Sequence, residues 1–251
     1  MYRSQGLTTF FRRSVDYARR KVVRDNTRRV RLIRRHIHNL QKYDAAPHPY
    51  KIVDVDPEEI QTYTQHFAKW ESVGLITGGG WDIDVKLLRN KPKHRAVAKR
   101  FGEGVDWDET KIYDELLSRI EKHGNADGCK DLHELKQRYA DIDKLYNSMK
   151  AEGYKREYHD SQPPWWGVRD LDYIACHIGR HGEFIFEFGG NHRLAIAKVL
   201  QIEQLPVWIL ARHSEWQEIR DEVYNAEAPD DLSADTKQYL DHPDIRQIRS
   251  W

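Results

Sequence analysis

Glu183-Phe-Ile-Phe-Glu-Phe-Gly-Gly-Asn-His-Arg-Leu-Ala-Ile-Ala-Lys-Val-Leu200 changes its period halfway along. Phe184, Phe186 and Phe188 alternate with Glu183, Ile185 and Glu187, the two-residue repeat of a strand. Leu194, Ala195, Ala197, Lys198 and Leu200 suit a helix that buries an apolar face. Between them, Gly189-Gly190 permits a sharp reversal through backbone angles that other residues avoid. Asn191-His192-Arg193 therefore falls on the first turn of the helix. Free N–H groups and the positive dipole end favour an anion there, and Arg193 adds a planar two-pronged donor for phosphate oxygens. A tight turn before a capped helix explains the same residues without a ligand. The following Ile202-Glu-Gln-Leu-Pro-Val-Trp-Ile-Leu210 closes a strand–turn–helix–strand unit, with Pro206 opening a continuous apolar strand.

Phe188-Gly-Gly-Asn-His-Arg-Leu-Ala-Ile-Ala-Lys-Val-Leu200, followed by Leu205-Pro-Val207, resembles the signature of the ParB/sulfiredoxin superfamily. That signature is a glycine, a short polar segment ending in Arg, a helix with small residues, and a strand opened by Ile/Val-Pro. Leu145-Tyr-Asn-Ser-Met-Lys-Ala-Glu-Gly-Tyr154 is similar to the family's earlier helix, and Val53-Asp-Val-Asp-Pro-Glu-Glu-Ile60 to its opening strand and turn. The likeness covers roughly residues 50–60 and 142–212. It implies an α+β fold, a small mixed sheet with surrounding helices. Residues 47–251 would form that domain, with a helical insertion at about 86–141, and residues 1–46 a basic helical extension.

The resemblance also implies a chemistry. Family members include partition proteins that bind CTP, sulfiredoxins that use ATP to repair oxidised cysteine, and small-molecule kinases that act on free serine. Their shared act is to hold nucleotide phosphates at the turn that here is Gly189, Gly190, Asn191, His192 and Arg193. Sulfiredoxins need a cysteine between the glycine and His-Arg, where this chain has Asn191. Partition proteins carry a Glu-Arg-Arg-type segment and a helix-turn-helix domain, whereas only about 40 residues follow the last strand here. The His-Arg form looks more like the kinase and reductase branches. The resemblance thus implies a phosphotransferase or nucleotide hydrolase using ATP or another nucleotide, with Mg²⁺ and an unidentified phosphoryl acceptor. His192 and Arg193 would neutralise the phosphates. The carboxylate that orients the acceptor stays open among Glu58, Glu59, Asp82 and Glu187. The competing class is a non-catalytic ParB-like module that binds nucleic acid or a membrane.

The chain of 251 residues is 39% apolar and 32% charged, enough for one large or two small domains with a strongly polar surface. Its eight Trp and thirteen Tyr favour aromatic-edged cores and sites. Cys129 and Cys176 lack metal spacing and read as buried reduced thiols. No apolar run reaches the roughly 18 residues of a membrane span, and no signal peptide is visible, so a cytoplasmic protein is expected, with peripheral membrane attachment as an option.

The net charge of +1 is unevenly spread. Residues 1–46 hold 13 Lys and Arg against 3 Asp, a surplus of ten, which leaves the remainder nine charges negative. From Phe10 to Leu40, apolar Phe11, Val15, Ala18, Val22, Val30, Ile33, Ile37 and Leu40 recur at helical steps beside an Arg-rich face, with a break near Asp25-Asn26. Such a helix can pack on an acidic face of its own domain, lie on anionic lipid, or touch nucleic acid.

Elsewhere, Lys51-Ile-Val-Asp-Val-Asp-Pro57 reads as a strand, with Pro57, Glu58 and Glu59 starting a helix that runs to Trp70. Val73-Gly-Leu-Ile-Thr-Gly-Gly-Gly-Trp-Asp82 offers a possible ligand loop of Gly79, Gly80 and Trp81, with Asp82 for a metal or base; a plain turn is the competing reading. No Gly-Lys-Ser/Thr follows, so it is not a P-loop. Residues 86–150 read as helical, interrupted at Gly102-Glu-Gly104 and Gly124–Gly128. His94-Arg95 is expected at the surface, and Pro163-Pro-Trp-Trp-Gly167 is read as a lid or a core wedge. Asp172–Arg180 reads as a strand entering a hairpin at Gly179-Arg-His-Gly182, Glu215–Tyr224 as a helix, and the tail as a polar surface wrap.

Overall fold

The computed structural model describes residues 23, 25–67, 71–155 and 173–249. The fold is α+β, built on an open, mixed seven-stranded sheet. Its centre is β7 (Leu205–His213), in which all nine residues are buried. β7 runs antiparallel to β1 (Ile52–Val55) and parallel to both β5 (Ile174–Ile178) and β3 (Leu75–Thr77). Beyond β5 come β6 (Phe184–Phe188), the two-residue β2 (Thr62–Tyr63) and β4 (Lys86–Leu87), giving the order β1-β7-β5-β6-β2-β4.

Two apolar layers follow the two-residue period of the strands. Leu205, Val207 and Ile209 of β7 enter the larger core with Ile174, Cys176, Phe184 and Phe186, whereas Trp208 and Leu210 enter the smaller one with Tyr50, Tyr173 and Ala175. A register irregularity between Ala175 and Cys176 carries Phe188 into the smaller layer with Trp208. Burying each of these aromatic or branched side chains contributes about 2 kcal/mol.

The larger layer is covered by α2 (Pro92–Val97), α3 (Ile112–His123), α4 (Leu132–Glu152) and α5 (Asn191–Val199). Their limits obey local chemistry. Pro92 sits in the first turn of α2, Asp131 caps α4, and Gly124 and Gly153 end α3 and α4 at positive φ. A π turn, Ala98–Gly102, joins α2 to the loop at Gly104. The smaller layer is covered by a helix over residues 25–42, here α1, through Leu32. Cys129 and Cys176 are buried free thiols.

The expected helix from Pro57 towards Trp70 does not form over the described residues. Only a single 3₁₀ turn, Pro57–Glu59, is present; Thr62-Tyr63 then adds a strand to the edge of β6, and the Thr64 N–H donates to the Phe186 carbonyl at 3.0 Å. β-branched and aromatic residues beside an open strand edge prevail over the helix-start signal. The tail also departs from a surface wrap. After α6 (Ser214–Asn225), the helix expected there, the segment through α7 (Ala234–Lys237) and α8 (Pro243–Arg246) buries Leu232 and Ile245 in the larger core, and Asp244 is fully buried.

Candidate functional site

The Gly-Gly turn is shaped by close packing as well as by its angles. Gly189 has φ +77°, and a side chain there would come within 2.0 Å of the Tyr173 carbonyl oxygen. Gly190 has φ +51°, with Ile174 Cγ1 at 2.6 Å from where a Cβ would stand. Gly190 is the residue that caps α5, so no side chain satisfies the first N–H groups, and the first turn holds no acidic residue. Those N–H groups are the ones a helix cannot pair within itself. The Arg193 guanidinium lies back against Gly190, its Nε 3.4 Å from that Cβ position, and its Nη1 donates to Tyr154 Oη at 3.3 Å. Asn191 Oδ1 is buried and makes no hydrogen bond.

His192 does not join this group. It shares a helix face with Ala195, Ile196 and Val199 and is buried edge-on against Tyr139, with ring centres 5.7 Å apart. Burial first, then the Lys93 ammonium, pulls its imidazole down to about 3. It is neutral at pH 7 and adds no charge to the turn. His94 is buried too, against expectation, edge-on to Phe186, and burial pulls it to about 3 as well. Its neighbour Arg95 faces solvent and pairs with Glu115.

Of the four carboxylates, Glu187 stands closest to the turn in the chain. Its side chain is 7% exposed, its Oε2 lies 3.4 Å from His177 Nε2, and neither atom makes a hydrogen bond. His177 is fully buried between Phe67 and Trp81, at 5.2 and 5.6 Å; burial lowers its pKa while Glu187 opposes that shift. Glu58 is exposed, 3.8 Å from Lys198 Nζ. Lys198 is seven residues beyond Asn191, about 10 Å along the helix, so Glu58 attends the other end of α5. Glu59 is exposed beside it; partial burial and then Asp56 raise its carboxyl, against Arg246.

Asp82 belongs to Arg180. Arg180 Nε and Nη2 donate to the two carboxylate oxygens at 2.9 and 2.8 Å, and its backbone N–H donates at 2.9 Å. Burial would raise the carboxyl, but these bonds outweigh it and hold Asp82 at about 2. The Gly79 carbonyl accepts from Arg180 Nη2 at 2.6 Å and from His213 Nε2 at 3.1 Å, because His213 Nδ1 already accepts the Glu215 N–H. Trp81, proposed to stack on a ligand, is 4% exposed, donates to the Thr77 carbonyl and packs between Phe67, His177 and His213. Gly79 and Gly80 remain at the surface. This loop is a clasp on the Gly179–Gly182 hairpin. Trp165 and Trp166 lie outside the described residues.

Sequence reading also missed the interior ion cluster. Asp244 accepts from Arg212 at 2.6 and 2.9 Å, from Arg220 at 2.7 Å and from Trp216 Nε1 at 3.0 Å. Arg220 reaches on to the Ala45 carbonyl. The available signal was Arg212-His213 ending an otherwise apolar strand. No protein-family model, curated protein or solved structure matches the chain.

Proposed function

We propose that the chain is a ParB/sulfiredoxin-like nucleotide-phosphate-binding protein, and that it transfers or hydrolyses the terminal phosphoryl group. The observation that carries this reading is the start of α5, which has no capping side chain and no acid in its first turn, with Arg193 folded over Gly190. A phosphate there would take the first-turn N–H groups and a planar cation at once. Asn191 Oδ1 is an unused acceptor for a ligand hydroxyl or amino group.

Phosphoryl transfer needs a group that orients the acceptor. Glu187 suits that role best of the four carboxylates, since its buried Oε2 makes no hydrogen bond and has only the His177 imidazole, at 3.4 Å, beside it. Among the described residues no group of three or more His, Cys, Asp or Glu could hold a metal ion. In this reading Mg²⁺ would be held mainly by the nucleotide phosphates, with Glu187 as the candidate protein ligand, and would share the phosphate charge.

Calorimetric titration with ATP, ADP and CTP tests the reading. Arg193→Ala should weaken nucleotide binding by about tenfold or more, the worth of a charge-assisted hydrogen bond. Glu187→Gln should retain binding and lose turnover. Equal binding by Arg193→Ala removes the phosphate role. A non-catalytic module is favoured instead by the exposed apolar side of α1, and nucleotide binding without turnover in the wild type would select it.

A further inference from the structure

α1 docks by one side. Leu32, His36 and Asn39 are buried. Asn39 donates to the Gly74 carbonyl at 2.8 Å, and Arg35 to the Glu71 and Val73 carbonyls at 2.6 and 2.8 Å. Of the apolar positions in the sequence pattern, Phe11, Val15, Ala18 and Val22 lie outside the described residues, and Val30, Ile37 and Leu40 point the other way, as does Val23, which the pattern did not include. Val23, Val30, Ile37 and Leu40 are 59, 48, 45 and 58% exposed, half of the eight exposed large hydrophobic side chains among the described residues. At about 100° per residue, these four and half-buried Ile33 occupy one arc roughly 100° wide. Exposed Arg34 borders it on one side and exposed Arg29 on the other, while Arg31 turns towards the domain and pairs with Glu71 at 3.2 Å.

We propose that α1 is an interfacial anchor that lays this stripe into the headgroup region of an anionic bilayer. The stripe needs an apolar phase, and its borders need anions. A second copy of the helix would supply the first but set Arg29 and Arg34 against their own kind. The chain's own residues 1–22 carry six Lys and Arg against one Asp, so they bring the same repulsion. A nucleic acid offers phosphates and no apolar phase for Val30 and Ile37. An anionic membrane offers both. Among the described residues, the domain packs on the side of α1 that carries Arg35 and Asn39, away from the stripe.

Co-sedimentation of the full chain with phosphatidylcholine vesicles, with and without phosphatidylserine, tests this. Binding to the anionic vesicles should exceed binding to neutral ones by more than about tenfold and fall with salt. Val30→Asp with Ile37→Asp should reduce it about tenfold or more at an unchanged melting temperature. If the aspartates lower that temperature, Val30→Ser with Ile37→Ser makes the same comparison. Arg29→Glu with Arg34→Glu should weaken binding to the anionic vesicles and reduce its salt dependence. Equal binding to neutral vesicles, or wild-type binding by the stripe variants, overturns the proposal. So does self-association through the stripe without vesicle binding, or DNA binding that is stronger than vesicle binding and survives the stripe variants.

Discussion

His192 and Arg193 are neighbours with opposite fates, decided by helical phase. Arg193 points over the turn, whereas His192 is carried into the core with His94, and both imidazoles sit near 3. Their free value is about 6.5, so below that pH the unfolded chain binds protons that the folded chain refuses. The stability each contributes is fully present above about pH 6.5 and is lost as pH falls towards 3, at about 1.4 kcal/mol per pH unit. Chemical denaturation across about pH 4 to 6 should show this slope, and His192→Asn should reduce it by about one histidine's share. An unchanged slope would place the imidazole in water. The Gly-Gly-x-His-Arg pattern was legible as a turn into a helix because it is local. The burial of His192 was not, because Tyr139 lies 53 residues away in the chain.

At the scale of elements, long periodic segments declared themselves. β5, β6, β7, α3, α4 and α6 fall close to where their spacing puts them. The short edge strands β2 and β4 escaped because two residues carry no period, and their pairing depends on β6. The tail escaped for another reason. Asp244 looks like a surface residue until Arg212 and Arg220, on two other elements, are brought to it. Burial would raise its carboxyl, but the two guanidinium groups hold it far below the usual carboxylate range. Asp244→Asn would leave two buried cations without a counter-charge, at a cost of about 3–5 kcal/mol. A fall in melting temperature of several degrees should follow, read by calorimetry. A stability change within about 0.5 kcal/mol would mean that the cluster is solvated.

For the whole molecule, the sheet separates two kinds of surface. One layer is filled by α2, α3, α4 and α5, so the helix that starts at the Gly-Gly turn is held by its neighbours. The other layer carries α1, whose outer face is apolar and bordered by arginine. Among the described residues no helix is long and apolar enough to cross a membrane. The glycine-rich loop at Gly79–Asp82 was legible as a feature but not as a clasp, since Arg180 is 98 residues away in sequence. What remains central is the claim that phosphate binds at the start of α5. Nitrogen–proton correlation spectra of the full chain, titrated with Mg²⁺–ATP and Mg²⁺–CTP, test it residue by residue. The amides of Gly190, Asn191, His192 and Arg193 should show the largest saturable shifts, and Arg193→Ala should need about tenfold more nucleotide to reach them. Amides at this turn that stay unmoved while nucleotide saturates the protein, or that show no response at all, would contradict it.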